Sequence, residues 1–225
     1  GALITEVQAH EASAYITAFS PNGTYYLSGS ADRSVRLWDA TTHELIATLG
    51  EHGDAVWGLD FTDDGAFAVS GARDGSATVW DIEAQASLHE TPADPDGVTG
   101  HSARIWDVDV SPDGATFLTA SADGTVRQWD VQTGELLATF TQDGTTFRAV
   151  AYAPDMTGFA AGGSDEAVNF WAFETGEIVW TQDAPDDWLW DIVFTPDSAQ
   201  VIVSSSGDDI YLVDVLTGKA EMIKK

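Results

Sequence analysis

The stretch Asp32-Arg33-Ser34-Val35-Arg36-Leu37-Trp38-Asp39 decides the fold because its ending comes back along the chain. Trp38-Asp39 returns as Trp80-Asp81 and Trp129-Asp130, is altered to Trp171-Ala172, and returns as Val213-Asp214, at steps of 42, 49, 42 and 42 residues. A fixed period of this size marks one supersecondary unit copied in tandem, each copy unable to bury its apolar face until a neighbour stacks on it. At 225 residues the chain can bury roughly 70 per cent of its unfolded surface within a single domain. The five copies, ending near Asp39, Asp81, Asp130, Ala172 and Asp214, therefore read as one domain over residues 1–225.

Each copy has the same internal landmarks. Nineteen residues before the Trp position stands an apolar ring or branched residue: Phe19, Phe61, Val110, Tyr152 or Phe194. A turn follows it, as in Pro21-Asn22-Gly23, Asp63-Asp64-Gly65 and Pro112-Asp113-Gly114, or Pro154-Asp155 and Pro196-Asp197. Between turns run short alternating stretches such as residues 56–61, 66–70 and 77–80, which suit strands of four to seven residues. After the Trp-Asp ending comes a second turn, Thr133-Gly134, Thr175-Gly176 or Thr217-Gly218, and then an outer strand such as residues 135–140. The pattern predicts four strands per copy and no helix.

Three copies carry a further set at one spacing, with His 28, Ser or Thr 10, and Asp 6 residues before the Trp. The sets are His10, Ser28, Asp32, Trp38; His52, Ser70, Asp74, Trp80; and His101, Thr119, Asp123, Trp129. Together with the Trp-Asp endings and the Pro-Asp-Gly turn, they make essentially the whole chain resemble the WD-repeat β-propeller family. The resemblance implies an all-β propeller of five four-stranded WD-type blades, either a closed five-bladed ring or part of a longer propeller. It also implies that each set is a hydrogen-bonded chain inside one blade, which leaves none of its polar groups unpaired in the core. His10, Ser28 and Asp32 do include the nucleophile, base and orienting acid of a hydrolase triad. A catalytic constellation, however, has no reason to occur three times at one spacing with a Trp attached. The fourth copy keeps only Asp165 and Trp171 and the fifth keeps none, so those two blades are expected to be softer.

Two regions depart from the period. The seven extra residues of the second step fall in residues 85–98, whose Thr91-Pro92-Ala93-Asp94-Pro95-Asp96-Gly97 run reads as a long loop. Asp94 and Asp96 have a loose likeness to a calcium loop but lack its remaining ligands, so a solvated loop and no metal site are expected. At the ends, residues 3–10 align with residues 45–52 as an outer strand, while residues 219–225 align as another. That gives six outer strands for five blades, which leaves open a closed ring with a displaced tail, a piece of a longer propeller, self-association, or completion of the ring by another chain.

Charge sets the partners apart. With 37 acidic against 9 basic residues the net charge is −28, which repels nucleic-acid phosphates and anionic membrane surfaces. No apolar run is long enough to span a bilayer. There is no cysteine, which excludes disulfides, thiol chemistry and attached c-type haem, and no cofactor is expected. Missing thiols and an acidic surface tilt the expected location toward a secreted or periplasmic site.

Against this acidity the few cations are placed unevenly. The residue 23 before each Trp position reads Tyr15, Trp57, Trp106, Arg148 and Trp190, and two residues earlier stand Arg104 and Trp188 in the third and fifth copies. Arg73 precedes the tetrad Asp of the second copy. In WD-repeat propellers these positions look out from the top face around the central channel, where peptides bind. Three of the six arginines and five large aromatics thus gather on one face, and Tyr, Trp and Arg dominate binding energetics at interfaces. The alternative for the Trp residues is that they pack against the next blade and only rim the channel. The expected function is a non-catalytic scaffold holding a peptide or partner domain on that face. The alternatives are a propeller-type enzyme with acid or metal chemistry at the channel mouth, through Asp107 and Asp191, and a purely structural set of blades in a larger protein.

Overall fold

The computed structural model describes residues 7–94, 96–142, 144–183, 188–206 and 210–223. Strands β1 (Ala14–Phe19), β2 (Tyr25–Ser30), β3 (Ser34–Asp39) and β4 (Leu45–Glu51) form the first sheet. The second holds β5 (Val56–Phe61), β6 (Phe67–Ala72), β7 (Ala77–Asp81) and β8 (Ala86–Thr91), and the third β9 (Ile105–Val110), β10 (Thr116–Ser121), β11 (Thr125–Asp130) and β12 (Leu136–Thr141). The fourth holds β13 (Phe147–Tyr152), β14 (Gly158–Gly163), β15 (Ala167–Ala172) and β16 (Ile178–Asp183), and the fifth β17 (Leu189–Phe194), β18 (Gln200–Ser205), β19 (Ile210–Asp214) and β20 (Ala220–Met222). Every sheet is an antiparallel meander in chain order, and the described residues contain no helix.

The turns explain the regular spacing. After the first strand a hydroxyl bridges the turn: Ser20 donates to Asn22, Thr62 to Asp64, Ser111 to Asp113 and Thr195 to Asp197, each at 2.6 to 2.9 Å. The same oxygens accept the N–H five residues on, at Tyr25, Phe67, Thr116 and Gln200. Such Asx and Ser/Thr turns close a short hairpin without a long loop. The chain then passes through the left-handed region at Gly23, Gly65 and Gly114, and at Met156 (φ 61°) and Ser198 (φ 59°) in the fourth and fifth copies, where a side chain costs about 1–2 kcal/mol.

The first strands of successive sheets pack side by side in the order β1, β5, β9, β13, β17, so the sheets radiate as blades from a common centre. Each seam between blades holds its own hydrophobic cluster. Leu27, Val35 and Leu37 of blade 1 meet Val56, Leu59 and Phe61 of blade 2; Val69 and Val79 meet Val108 and Phe117 of blade 3. Leu118 and Val126 meet Val150 and Phe159 of blade 4, and Phe170 meets Ile192 and Val203 of blade 5. Among the described residues no cluster joins blade 5 back to blade 1. Phe19 is 66% exposed, whereas its counterpart Phe61 is buried at 4%.

Two sequence expectations change. Residues 85–98 are not all loop: Ala86–Thr91 is β8, paired with β7, and the described residues of the connection to β9, 92–94 and 96–104, lie outside any strand. As an outermost strand it is largely solvated, so its sequence carries little apolar alternation to read. At the ends, β20 pairs with β19 and completes blade 5. Residues 7–10, the described part of the proposed first outer strand, are not in a strand, and the rest of that segment lies outside the described residues.

Candidate functional site

The three tetrads form as closed polar chains, each crossing its own blade. Trp38 Nε1 donates to Ser28 at 2.8 Å, Trp80 Nε1 to Ser70 at 2.8 Å, and Trp129 Nε1 to Thr119 at 2.9 Å. Each hydroxyl oxygen also lies 2.6 Å from the His Nε2, of His10, His52 and His101 respectively. His101 Nδ1 reaches Asp123 at 2.8 Å and His10 Nδ1 reaches Asp32 at 3.1 Å. His52 instead contacts Ser76 at 2.7 Å, and Ser76 donates to Asp74 at 2.7 Å. That hydroxyl is a fifth member of the chain: Ser34, Ser76 and Thr125 stand four residues before the Trp and bond both His and Asp. The sequence reading missed it, although its recurrence at one spacing was the available signal. Burial lowers the pKa of all three histidines, to about 4 for His52, which keeps the imidazoles neutral. Burial alone would raise Asp32 and Asp123, but hydrogen bonds led by those from Ser34 and His101 outweigh it and hold both low.

Hydroxyl, imidazole and carboxylate are thus connected as in a hydrolase triad, yet the would-be nucleophiles are sealed. Ser70 and Thr119 are fully buried and Ser28 nearly so, and each already accepts an indole N–H. No substrate carbonyl has room to reach them.

A second group lies where the innermost strands begin. Tyr15, Trp57, Trp106, Arg148 and Trp190, each the second residue of its strand, line a cleft of 510 Å³. Tyr15 meets Trp57 edge-on at 5.9 Å, and Trp57 meets Trp106 at 4.2 Å. The Arg148 guanidinium carbon lies 4.4 Å from the Trp106 ring, 4.4 Å from Trp188 and 4.8 Å from Trp190, and that of Arg104 lies 5.2 Å from Trp106. Cation–π contacts of this kind stabilise by about 0.5–2 kcal/mol each. Arg148 Nε and Nη1 and Trp57 Nε1 are buried with no hydrogen-bond partner among the described residues. Burial, and after it the charge of Arg104, push the Arg148 pKa down, but a guanidinium stays protonated. Arg73 is placed apart from this group, half exposed and 3.8 Å from Asp54.

The model of the WD domain, G-beta repeat, matches this chain over residues 1–39, 43–81 and 96–130, half of its length. The chain belongs to the WD-repeat family. The matched segments are the three that carry full tetrads, and the WD-repeat blades left unmatched are those where the polar chain is missing. In blade 4 the position of Ser70 is taken by Ala161, and Asp165 is bonded by Gln142 at 3.0 Å while its second oxygen has no partner among the described residues. An aromatic cluster of Phe140, Phe147, Phe159, Trp171 and Phe173 fills the space instead.

The carboxylates named for acid chemistry have other work in this WD-repeat domain. Asp107 accepts the N–H of Val108 at 2.9 Å and that of Val150, on the next blade, at 3.0 Å. Asp60 likewise accepts Val110 N–H at 2.8 Å and Asp109 accepts Tyr152 N–H at 2.6 Å. These aspartates are clasps between innermost strands, and sequence reading missed two of them because the partner is a backbone group on another blade. Burial raises Asp60 to about 6 and Asp107 to about 7. Asp109 is raised well above the usual range by burial and then by the charge of Asp60, to which it is hydrogen-bonded. Asp191 is exposed and accepts Ile192 N–H. Asp94 accepts the N–H groups of Asp96, Val98 and Thr99, which hold it down to about 2 and tie the loop internally. Among the described residues there is no group of three or more ligands able to hold a metal ion.

Proposed function

We propose that this WD-repeat domain is a non-catalytic binding scaffold that holds a peptide or partner domain over the Trp–Arg cleft. The observation that carries this reading is Arg148, a cation stacked on three Trp rings with two buried N–H donors unpartnered. In a chain of net charge −28 there is no shortage of carboxylates, yet the described residues provide none for it. An unmade hydrogen bond on a buried donor costs about 1–3 kcal/mol, which a ligand acceptor restores. Exposed Tyr15, Trp188 and Trp190 give apolar contact area around the cation. The preferred partner therefore carries an acidic side chain beside an aromatic one.

Long-range repulsion from the −28 net charge opposes the encounter with such a partner, while the short contacts hold the complex. Binding of fluorescent peptides rich in Glu and Trp tests this. Raising salt until the Debye length is about 3 Å should speed association, and Trp106→Ala with Arg148→Ala should remove most of the affinity while shifting the melting temperature by only a few degrees. Undiminished binding by the double variant would move the site to another face.

A further inference from the structure

The chain has two asparagines, in opposite surroundings. Asn169 is fully buried in β15, accepts the Thr181 hydroxyl at 2.7 Å and is followed by Phe170. Asn22 is exposed in the first turn of blade 1 and is followed by Gly23, where φ is 69° and nothing lies within 4 Å of the place a Cβ would take. An asparagine side-chain amide is open to attack by the backbone nitrogen of the next residue, and a glycine there, having no side chain, obstructs the attack least.

The turn also aims donors at the atom that gains charge in this attack. Asn22 Oδ1 accepts the Ser20 hydroxyl at 2.9 Å and the Thr24 N–H at 2.9 Å. Both lie within the range of about 2.7–3.1 Å at which such donors stabilise an oxyanion. One contact works the other way: Gly23 N–H donates to the Ser20 carbonyl at 2.8 Å and must leave it to react.

The matching turns of the other blades show what the product fits. Where blade 1 has Asn22, blades 2 to 5 have Asp64, Asp113, Asp155 and Asp197. Asp64, Asp113 and Asp197 each accept the turn hydroxyl at 2.6 Å, against 2.9 Å for the neutral amide of Asn22, the shortening that charge brings to a hydrogen bond. Those hydroxyl bonds hold the same three carboxyls below the usual carboxylate range. The turn therefore favours an ionised acid at this position.

We propose that Asn22 is a site of spontaneous deamidation and that the folded turn directs the reaction to aspartate. Gly23 N adds to Asn22 Cγ, the bond from Cγ to the side-chain nitrogen breaks, and ammonia leaves with the Gly23 proton, giving a cyclic imide. Water then adds to the same Cγ, because the Ser20 and Thr24 donors still face its oxygen. The bond to Gly23 N breaks, that nitrogen regains a proton, and the main chain is restored with a carboxylate in place of the amide. Water is the only co-reactant, and nothing is oxidised or reduced. Addition at the main-chain carbonyl would instead give isoaspartate, whose longer backbone breaks the bond from Gly23 to Ser20.

Peptide mass spectrometry of native protein held at mildly alkaline pH tests this, with the same chain in urea as the reference. In native protein Asn22 should convert while Asn169 stays intact, and the product should be mainly aspartate; in urea isoaspartate should predominate. Ser20→Ala, shown by thermal melting to fold, should slow native conversion several-fold and raise the isoaspartate share. Asn22→Asp, which copies the product, should melt at or above the temperature of the parent chain at neutral pH. Survival of Asn22 in native protein while it converts in urea would overturn the proposal, as would isoaspartate as the main native product. An unchanged rate and product in Ser20→Ala, or a lower melt for Asn22→Asp, would do the same.

Discussion

Trp80→Phe and Trp171→Phe remove the same atoms from two blades and should not cost the same. Both indoles are buried, at 3% and 2% exposure, so the loss of ring area is common to the two. Trp80 Nε1 donates to Ser70 at 2.8 Å, and Ser70 in turn lies 2.6 Å from His52 Nε2. Phe at this position leaves the serine oxygen short of a donor inside a closed chain, at about 1–3 kcal/mol. Trp171 has Ala161 where Ser70 stands, no described partner for its N–H, and a stacked contact with Phe159 at 5.1 Å that a phenyl ring retains. Trp80→Phe should therefore exceed Trp171→Phe by about 1–2 kcal/mol, or roughly 2–8 °C in melting temperature for a domain of this size. Trp80→Ala adds a cavity and should cost about 3 kcal/mol or more. Urea midpoints at unchanged slope measure the difference, and Ser70→Ala in the Trp80→Phe background should cost less than the separate losses added together. Equal losses in blades 2 and 4 would refute the view that the polar chain stabilises one and aromatic packing the other.

Asp165→Ala should destabilise less than Asp123→Ala, since Asp123 bonds His101 and Thr125 whereas among the described residues Asp165 meets only Gln142; chemical denaturation of both variants decides. Deleting residues 219–225 should lower stability by exposing the edge of β19, which β20 covers; an unchanged melt would show that the strand contributes nothing. The buried carboxyl groups of Asp60 and Asp107 should also make stability fall as pH rises from about 4 to 7. Burial raises Asp60 to about 6 and Asp107 to about 7, so their contribution is complete below about pH 4 and lost as pH climbs through those values. His52, lowered to about 4 by burial, acts on the other limb, its contribution complete above about pH 6.5 and lost on acidification. Asp107→Asn should flatten the alkaline limb in a series of thermal melts, and an unaltered profile would count against the clasp.

The sequence by itself determined the repeat, the strand count and the tetrads, because these depend on short-range facts: a period, a turn chemistry, and residue types at fixed offsets. Phe19, Phe61, Val110, Tyr152 and Phe194 end their strands as the spacing predicted, and the three His–hydroxyl–Trp sets are bonded. It also gathered Trp57, Trp106 and Arg148, since equivalent residues of stacked repeats fall on one ring of positions. What only the tertiary structure decided is what one blade does to the next. The clasps of Asp60 and Asp109 end on backbone N–H groups 43 or 50 residues away, which no side-chain pattern records. Arg73 and Arg148 read alike as lone cations on one face, but only the packing of neighbouring blades lays Trp rings against Arg148 and an aspartate against Arg73. The boundary between blades 5 and 1, where no cluster of described residues forms, is of the same kind: Ile210 and Phe19 are written like core residues but are exposed.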